Sequence, residues 1–170
     1  MAAFRRYELQ FFTATILQWK KLLKPEKYKD IIINSFLFLV NESRVAIHGF
    51  VIMDNHIHII WHIHHPFTRE QVQRDFLKFT AQAIKFDLLR NHPHILAYFL
   101  VDAKDRKFQF WERNPLSVDL RNEAVVLQKL TYIHENPVKA GIAANPSDYK
   151  YSSALFYETG IDPFGFLTAY

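Results

Sequence analysis

Cysteine is absent from this chain. That excludes a disulfide framework and any thiolate metal site, so a bound metal would have to sit on His, Asn, Gln, Asp or Glu. Glycine and proline are scarce, 4 and 7 in 170 residues. No linker or low-complexity tract divides the chain, and no internal repeat is visible. Long apolar runs are missing too: the longest, Ile31 to Val40, is interrupted by Asn34 and Ser35 and is too short to cross a bilayer. The start Met-Ala-Ala-Phe-Arg-Arg is not followed by the apolar core and cleavage site of a secretory signal. A protein of the cytoplasm, without a membrane partner, is expected. Neither sign of charge dominates, with 21 Lys and Arg against 17 Asp and Glu. The resulting pI near 9.2 suits a polyanionic partner without specifying one.

What is present is a globular composition, 49% apolar and 22% charged, with 16 Phe. The length fits one domain over 1–170, with a core at about 7–155 and a C-terminal tail at 156–170. Gln10 to Ile16 is rich in β-branched and aromatic residues and reads as a first strand. Pro25 and Glu26 open a helix to about Glu42, with Ile32, Phe36, Leu39 and Val40 inward. Val45 to Met53 is a second strand, joined to a third through the turn signal Asp54-Asn55.

Pro66 ends that third strand, and Thr68 with Gln71 forms a capping box for a helix to about Asn91. Its apolar stripe is Val72, Phe76, Phe79, Ala83 and Phe86, and its outer cations Arg69, Arg74, Lys78, Lys85 and Arg90 read as a solvated mixed face with Glu70, Asp75 and Asp87. Phe99 to Asp102 and Lys107 to Glu112 are short strand candidates. A last helix is expected over Asp119 to Asn136, and a loop from Pro137 onward. This order predicts an α+β domain of the ferredoxin-like or RRM-like kind, an antiparallel sheet with helices on one side.

The third strand carries the most chemistry. In Asn55-His-Ile-His-Ile-Ile-Trp-His-Ile-His64 a period of two sets His56, His58, His62 and His64 on one face and Ile57, Ile59, Trp61 and Ile63 on the core face. The histidines are expected to look outward. Side chains two apart on a strand have roots roughly 6.5–7 Å apart, so the rings of His56 and His58, or of His62 and His64, can converge on one ion. Two imidazoles leave coordination positions open, so a further ligand must come from elsewhere.

A second group lies in Thr131-Tyr-Ile-His-Glu-Asn-Pro-Val-Lys-Ala-Gly141. Tyr132 and Asn136 are four apart and share one side of a helix, flanking a buried stripe of Leu127, Leu130 and Ile133. His134 points to the other side. Taken alone, Tyr132 also fits a half-buried structural tyrosine, and Asn136 a helix terminator before Pro137.

Val-Ile-Met-Asp-Asn-His-Ile-His-Ile-Ile followed, about 75 residues later, by Tyr-Ile-His-Glu-Asn-Pro-Val-Lys-Ala-Gly-Ile resembles the REP-associated tyrosine transposases, single-tyrosine HUH enzymes related to the IS200-type transposases. The resemblance runs from the first strand to the Tyr-Lys-Tyr-Ser-Ser segment. It implies that His56, His58 and Asn136 hold a divalent metal, Mg²⁺ or Mn²⁺, and that Tyr132 is the nucleophile. It further implies a transposase acting as single-strand endonuclease and strand transferase, on single-stranded DNA bearing REP-like hairpins in the nucleoid, through a 5′-phosphotyrosine intermediate, as monomer or homodimer. The chain departs from the family in three ways: Asp54 stands where proline is usual, His62 and His64 are extra, and Trp111-Glu-Arg lacks a following Asp-His. A metal-dependent phosphodiesterase using water, and a non-catalytic, domesticated binder of single-stranded DNA hairpins, are the alternatives.

Overall fold

The computed structural model describes residues 9–170. The segment Met-Ala-Ala-Phe-Arg-Arg and the expected start of the core at residue 7 lie outside the described residues. The elements are β1 (Leu9–Thr15), α1 (Glu26–Asn41), β2 (Val45–Ile52), β3 (His56–Ile63), α2 (Arg69–Asn91), the short α3 (Pro93–Leu96), β4 (Leu116–Leu120), α4 (Glu123–Lys139) and α5 (Ala154–Thr159). All four strands pair antiparallel in the order β2-β3-β1-β4. With α1 and α2 as crossovers, this is the expected ferredoxin-like arrangement.

Alternation along each strand builds two cores. Phe12, Ala14, Ile47, Phe50, Ile57, Ile59 and Trp61 bury one face against Ile32, Phe36 and Leu39 of α1 and Val72, Phe76 and Ile84 of α2. The other face carries Leu9, Phe11, Val51, Met53 and Ile60, and packs on Val126, Leu130 and Ile133 of α4. Helices therefore cover both faces, not one. The reason is Ile60, which interrupts the polar pattern between His58 and His62 and gives the histidine face its own apolar centre.

Three segment readings need correction. The fourth strand is Leu116–Leu120, paired Leu9↔Leu120 to Thr13↔Leu116, so Asp119 belongs to a strand and the last helix begins at Glu123 behind its N-cap Asn122. The 99–102 and 107–112 segments make only single bridges, Leu100↔Phe108 and Ile16↔Trp111, because Phe110 and Trp111 turn inward as packing groups. Finally, α4 runs through Pro137 to Lys139 and ends at Gly141 (φ +74). There Gly141 N–H donates to the Val138 carbonyl and Ile142 N–H to that of Pro137, closing the helix end. The stretch beyond is not all loop, since it contains α5.

The α2 stripe is also rotated from the expected one. Val72, Phe76, Thr80, Ile84 and Leu88 are buried, while Phe79 and Phe86 are 56% and 68% exposed. Thr80 was hidden from a hydropathy reading, yet its hydroxyl donates to the Phe76 carbonyl and accepts from Trp111 Nε1. The capping box of Thr68 and Gln71 is present. At the sheet edges, Leu167 bridges Ile47 of β2, Ser152 bridges Val51, and Phe166 is buried against Phe36 and Phe50. On the outer side of β4 no strand pairs among the described residues.

A β-bulge at His48 shifts the β2 register between Ile47 and Gly49 and turns Gly49 toward α4. A Cβ built on Gly49 would stand 2.6 Å from Leu130 Cδ2 and 3.2 Å from Ile133 Cδ1. Glycine is what allows α4 to sit this low. Gly49→Val is expected to lower unfolding free energy in urea by about 1–3 kcal/mol through overpacking, and adding Leu130→Ala is expected to return part of that loss.

Candidate active site

The β3 strand begins directly after the Asp54-Asn55 turn, and that turn is fixed from below. Lys29 on α1 is buried, and its Nζ donates to the carbonyls of Leu23 and Lys24 and to Asp54 Oδ1 at 2.8 Å. Asp54 thus holds a buried ammonium. Ile16 N–H closes onto the Asn55 carbonyl and Leu23 N–H onto that of Asp54.

Register then places the histidines: Thr13 lies opposite His58 and Thr15 opposite His56. Their rings are 4.8 Å apart at the centroids. His58 is 5% exposed, not outward-facing as expected, because Phe11 stacks on it at 5.2 Å and Tyr132 stands edge-on at 5.4 Å. His58 Nδ1 lies 2.7 Å from Thr13 Oγ1, and His56 Nδ1 lies 2.7 Å from Asn55 Oδ1. A carboxamide oxygen can only accept, so the His56 proton is on Nδ1 and its Nε2 keeps a lone pair. With the same tautomer in His58, that ring donates to Thr13 and its Nε2 is a buried nitrogen with no partner. Such second-sphere fixing of Nδ1 is what orients imidazoles for a metal.

From the other side, α4 presents Lys129, Tyr132 and Asn136 at helical spacing. The Asn136 side chain comes close enough to the His56 ring to favour its protonated form, against the larger effect of burial. The structure therefore brings together all four residues singled out, His56, His58, Tyr132 and Asn136. Tyr132 is 44% exposed, and among the described residues nothing hydrogen-bonds its hydroxyl. Three tyrosines nearer the C-terminus are occupied: Tyr149 donates to the Ile52 carbonyl, Tyr151 to Asp30 and Tyr157 to the His48 carbonyl, and burial raises the phenol pKa of each.

Two imidazole nitrogens and one carboxamide make a donor set fit for a hard or borderline divalent ion with open positions. Among the described residues there is no group of three His, Asp, Glu or Cys that could hold a metal; the side chain that α4 brings toward the pair is the amide of Asn136. The orphaned Nε2 of His58 is the observation that favours an ion, since a buried unpaired nitrogen costs about 1–3 kcal/mol that a ligand would offset.

His62 and His64 belong elsewhere. Their rings lie 5.3 Å apart, and His64 Nδ1 is 2.9 Å from the Ser43 carbonyl. His134 is half-buried on the far side of α4, 2.7 Å from Ser153 Oγ. Leu127 is exposed, and the buried stripe of α4 is Val126, Leu130, Ile133 and Pro137. Sequence reasoning missed Thr13, Phe11 and Lys129. Lys129 Nζ is 4.8 Å from the Phe11 centroid and 5.6 Å from that of Tyr132. Its position three before Tyr132 was the available signal. A separate cavity of about 860 Å³ opens between α2 and the 105–115 segment, lined by the cations Arg74, Lys78, Lys85, Arg106, Lys107 and Arg113. The α2 cations of the expected solvated face thus converge in part on one groove.

No protein-family model matches the chain, and no curated protein matches it. Among solved structures, a REP-associated tyrosine transposase bound to a REP hairpin superposes with a TM-score of 0.66 at 20% identity, covering 96% of this chain and 88% of that one. The likeness establishes a shared fold over nearly the whole chain. No helix among the described residues is long and apolar enough to cross a membrane.

Desolvation lowers the pKa of His48, His56, His58 and His134, to about 3 for His58 and about 4 for His134. The unfolded chain binds protons on these groups below about pH 6.5, where the folded chain still refuses them. Stability is therefore complete above pH 6.5 and is lost as pH falls toward 4. A thermal-melting profile over this window, run with chelator, is expected to show that loss, with a shallower slope for His134→Gln, which keeps a donor to Ser153 without titrating.

Proposed function

We propose that this chain is a transposase-type DNA strand transferase in which Tyr132 cleaves hairpin-bearing single-stranded DNA and His56, His58 and Asn136 hold a divalent metal. The observation that carries the reading is the juxtaposition of an unengaged tyrosine hydroxyl with a histidine pair, the Tyr132 ring standing edge-on to His58 at 5.4 Å and the His58 Nε2 being buried without a partner. The hairpin-bound structural neighbour supports hairpin DNA as the partner.

An ion on His56, His58 and Asn136, Mg²⁺ by abundance or Mn²⁺ by its liking for imidazole, would supply electrophilic polarisation of the scissile phosphate. The remaining work falls to the protein. Tyr132 Oη attacks phosphorus in line, the bond to the 3′-oxygen breaks, and the phenolic proton is given up while the departing 3′-oxygen gains one. The products are a 5′-phosphotyrosine and a free 3′-hydroxyl. Because one phosphodiester replaces another, a second 3′-hydroxyl can reverse the step without an external energy source.

A phenol with an ordinary pKa near 10 is a weak nucleophile. Lys129 offsets the charge that develops between Tyr132 and the phosphate from within the site, where water is partly excluded. His58, kept neutral by burial and by its neighbours His56 and Lys129, is available as a ligand at pH 7. The cationic groove beside α2 offers a surface for the phosphates of the hairpin stem.

The test is denaturing electrophoresis with hairpin oligonucleotides from the flanks of this protein's own coding region. A covalent protein–DNA adduct is expected with Mg²⁺ or Mn²⁺, none with chelator, and none in Tyr132→Phe. Cleavage retained in Tyr132→Phe but lost in His58→Ala would instead identify water as nucleophile. Salt-sensitive binding with no cleavage under any metal would identify a binder. Lys129→Met is expected to slow adduct formation roughly 10- to 100-fold, with Lys129→Arg close to the parent.

A further inference from the structure

The chain leaves β1 through a turn that is strained in an unusual place. Gln18 and Trp19 are consecutive non-glycine residues in the left-handed region, at φ 55 and 57, a conformation that a bulky side chain rarely adopts. The turn is held by several bonds at once. Gln18 N–H donates to Glu112 Oε1 at 2.6 Å, Lys20 Nζ to Gln18 Oε1 at 2.6 Å, and Trp19 N–H to the Ile16 carbonyl at 2.9 Å. Backbone strain maintained this way is characteristic of positions that serve a site.

What the turn achieves is the display of an indole. Trp19 is 62% exposed, whereas the other two tryptophans, Trp61 and Trp111, are 0% and 6% exposed. Its ring nevertheless lies 6.0 Å from that of His56, edge to face. Asn55 ties the two together, since its Oδ1 accepts from His56 and its Nδ2 reaches the Trp19 carbonyl at 3.5 Å. An exposed aromatic plane at the rim of the histidine pair, with Lys20 next to it in sequence, has the features of a stacking platform for single-stranded nucleic acid.

We propose that Trp19 stacks on an unpaired nucleobase flanking the scissile phosphate and so positions that phosphate over the histidines. This rests on the DNA reading given above. A nucleotide whose phosphate lies at His56 and Tyr132 has its neighbouring base within one nucleotide length of the indole. Stacking tolerates any base, so Trp19 sets the register of the strand more than its sequence. It is a positioning residue, acting through the substrate and not on the reacting atoms.

Because Trp61 and Trp111 are buried, fluorescence quenching reports mainly on Trp19. The probes are a dT 12-mer and a 12-mer of abasic deoxyribose phosphates carrying the same charge, titrated without metal so that cleavage does not intervene. Quenching is expected with dT and much less with the abasic strand, and, read from the anisotropy of an end-labelled dT 12-mer, Trp19→Ala is expected to weaken dT binding about 10-fold while Trp19→Phe retains most of it. In the adduct assay, Trp19→Ala is expected to raise the KM for hairpin oligonucleotides, and a single abasic nucleotide scanned along the strand is expected to reproduce that effect at one position beside the cleaved phosphate. Equal quenching by both 12-mers, or an adduct formed by Trp19→Ala with unchanged KM, overturns the proposal. Quenching specific to bases with no adduct from the parent protein overturns the strand-transfer reading and leaves Trp19 as a base-binding residue. Quenching that follows protein concentration in the absence of DNA assigns the indole to self-association and overturns the proposal as well.

Discussion

The close approach of α4 to β2 over Gly49 sets the height at which Tyr132 and Asn136 stand above the histidine strand. Leu130 and Ile133 fill the space that a side chain on residue 49 would take, and these two residues bracket Tyr132 on the helix. The rest follows from that seating. His58 becomes buried instead of solvent-facing, its ring acquires Phe11 and Tyr132 as walls, and Asn136 one turn further on comes close enough to influence the protonation of His56. A helix lifted by the width of a methyl group would leave each of these residues in place along the chain and separate them in space.

The second support comes from beneath the sheet. Lys29 is buried and ties the start of β3 to α1 through Asp54, while two carbonyls of the loop before α1 take its remaining protons. A rigid proline is usual at this position in the family that the motifs resemble. Here an ion pair fixes the turn from below. Truncating one partner of such a pair is costlier than replacing both, because a lone buried ammonium remains. The departure at Asp54 is thus a different solution for holding the turn.

Much of this was legible in the sequence, and the rest was not, for definable reasons. The strands with clean alternation, the capping box at Thr68 and the proximity of His56, His58, Tyr132 and Asn136 could be read because each rests on local spacing or on a paired motif. The edge strand Leu116–Leu120 was passed over because it is short and two of its apolar residues, Leu116 and Val118, stay exposed. The aromatic segment at 107–112 took its place, since β-propensity measures fit to a half-buried surface and not strand pairing. Thr80 was invisible to hydropathy because its hydroxyl is satisfied within the core. Thr13, Phe11 and Trp19 reach the histidines across β1, and contacts between residues so far apart in the chain leave no mark in either segment alone.

The two edges of the sheet are finished unequally. Along β2 the backbone is engaged by the C-terminal segment, with Leu167 bridging Ile47 and the Thr168 N–H donating to the Ile47 carbonyl, and by Ser152 at Val51. Along β4 the outer backbone groups meet no strand among the described residues, and Leu116 and Val118 lie open beside them. A sheet with one free margin can be extended once, by a twofold-related copy or by an added peptide, and then has nothing left to offer. Growth into a fibre needs two such margins. The placement of Leu167 and Thr168 against β2 therefore acts as a terminator, closing that margin to an added strand.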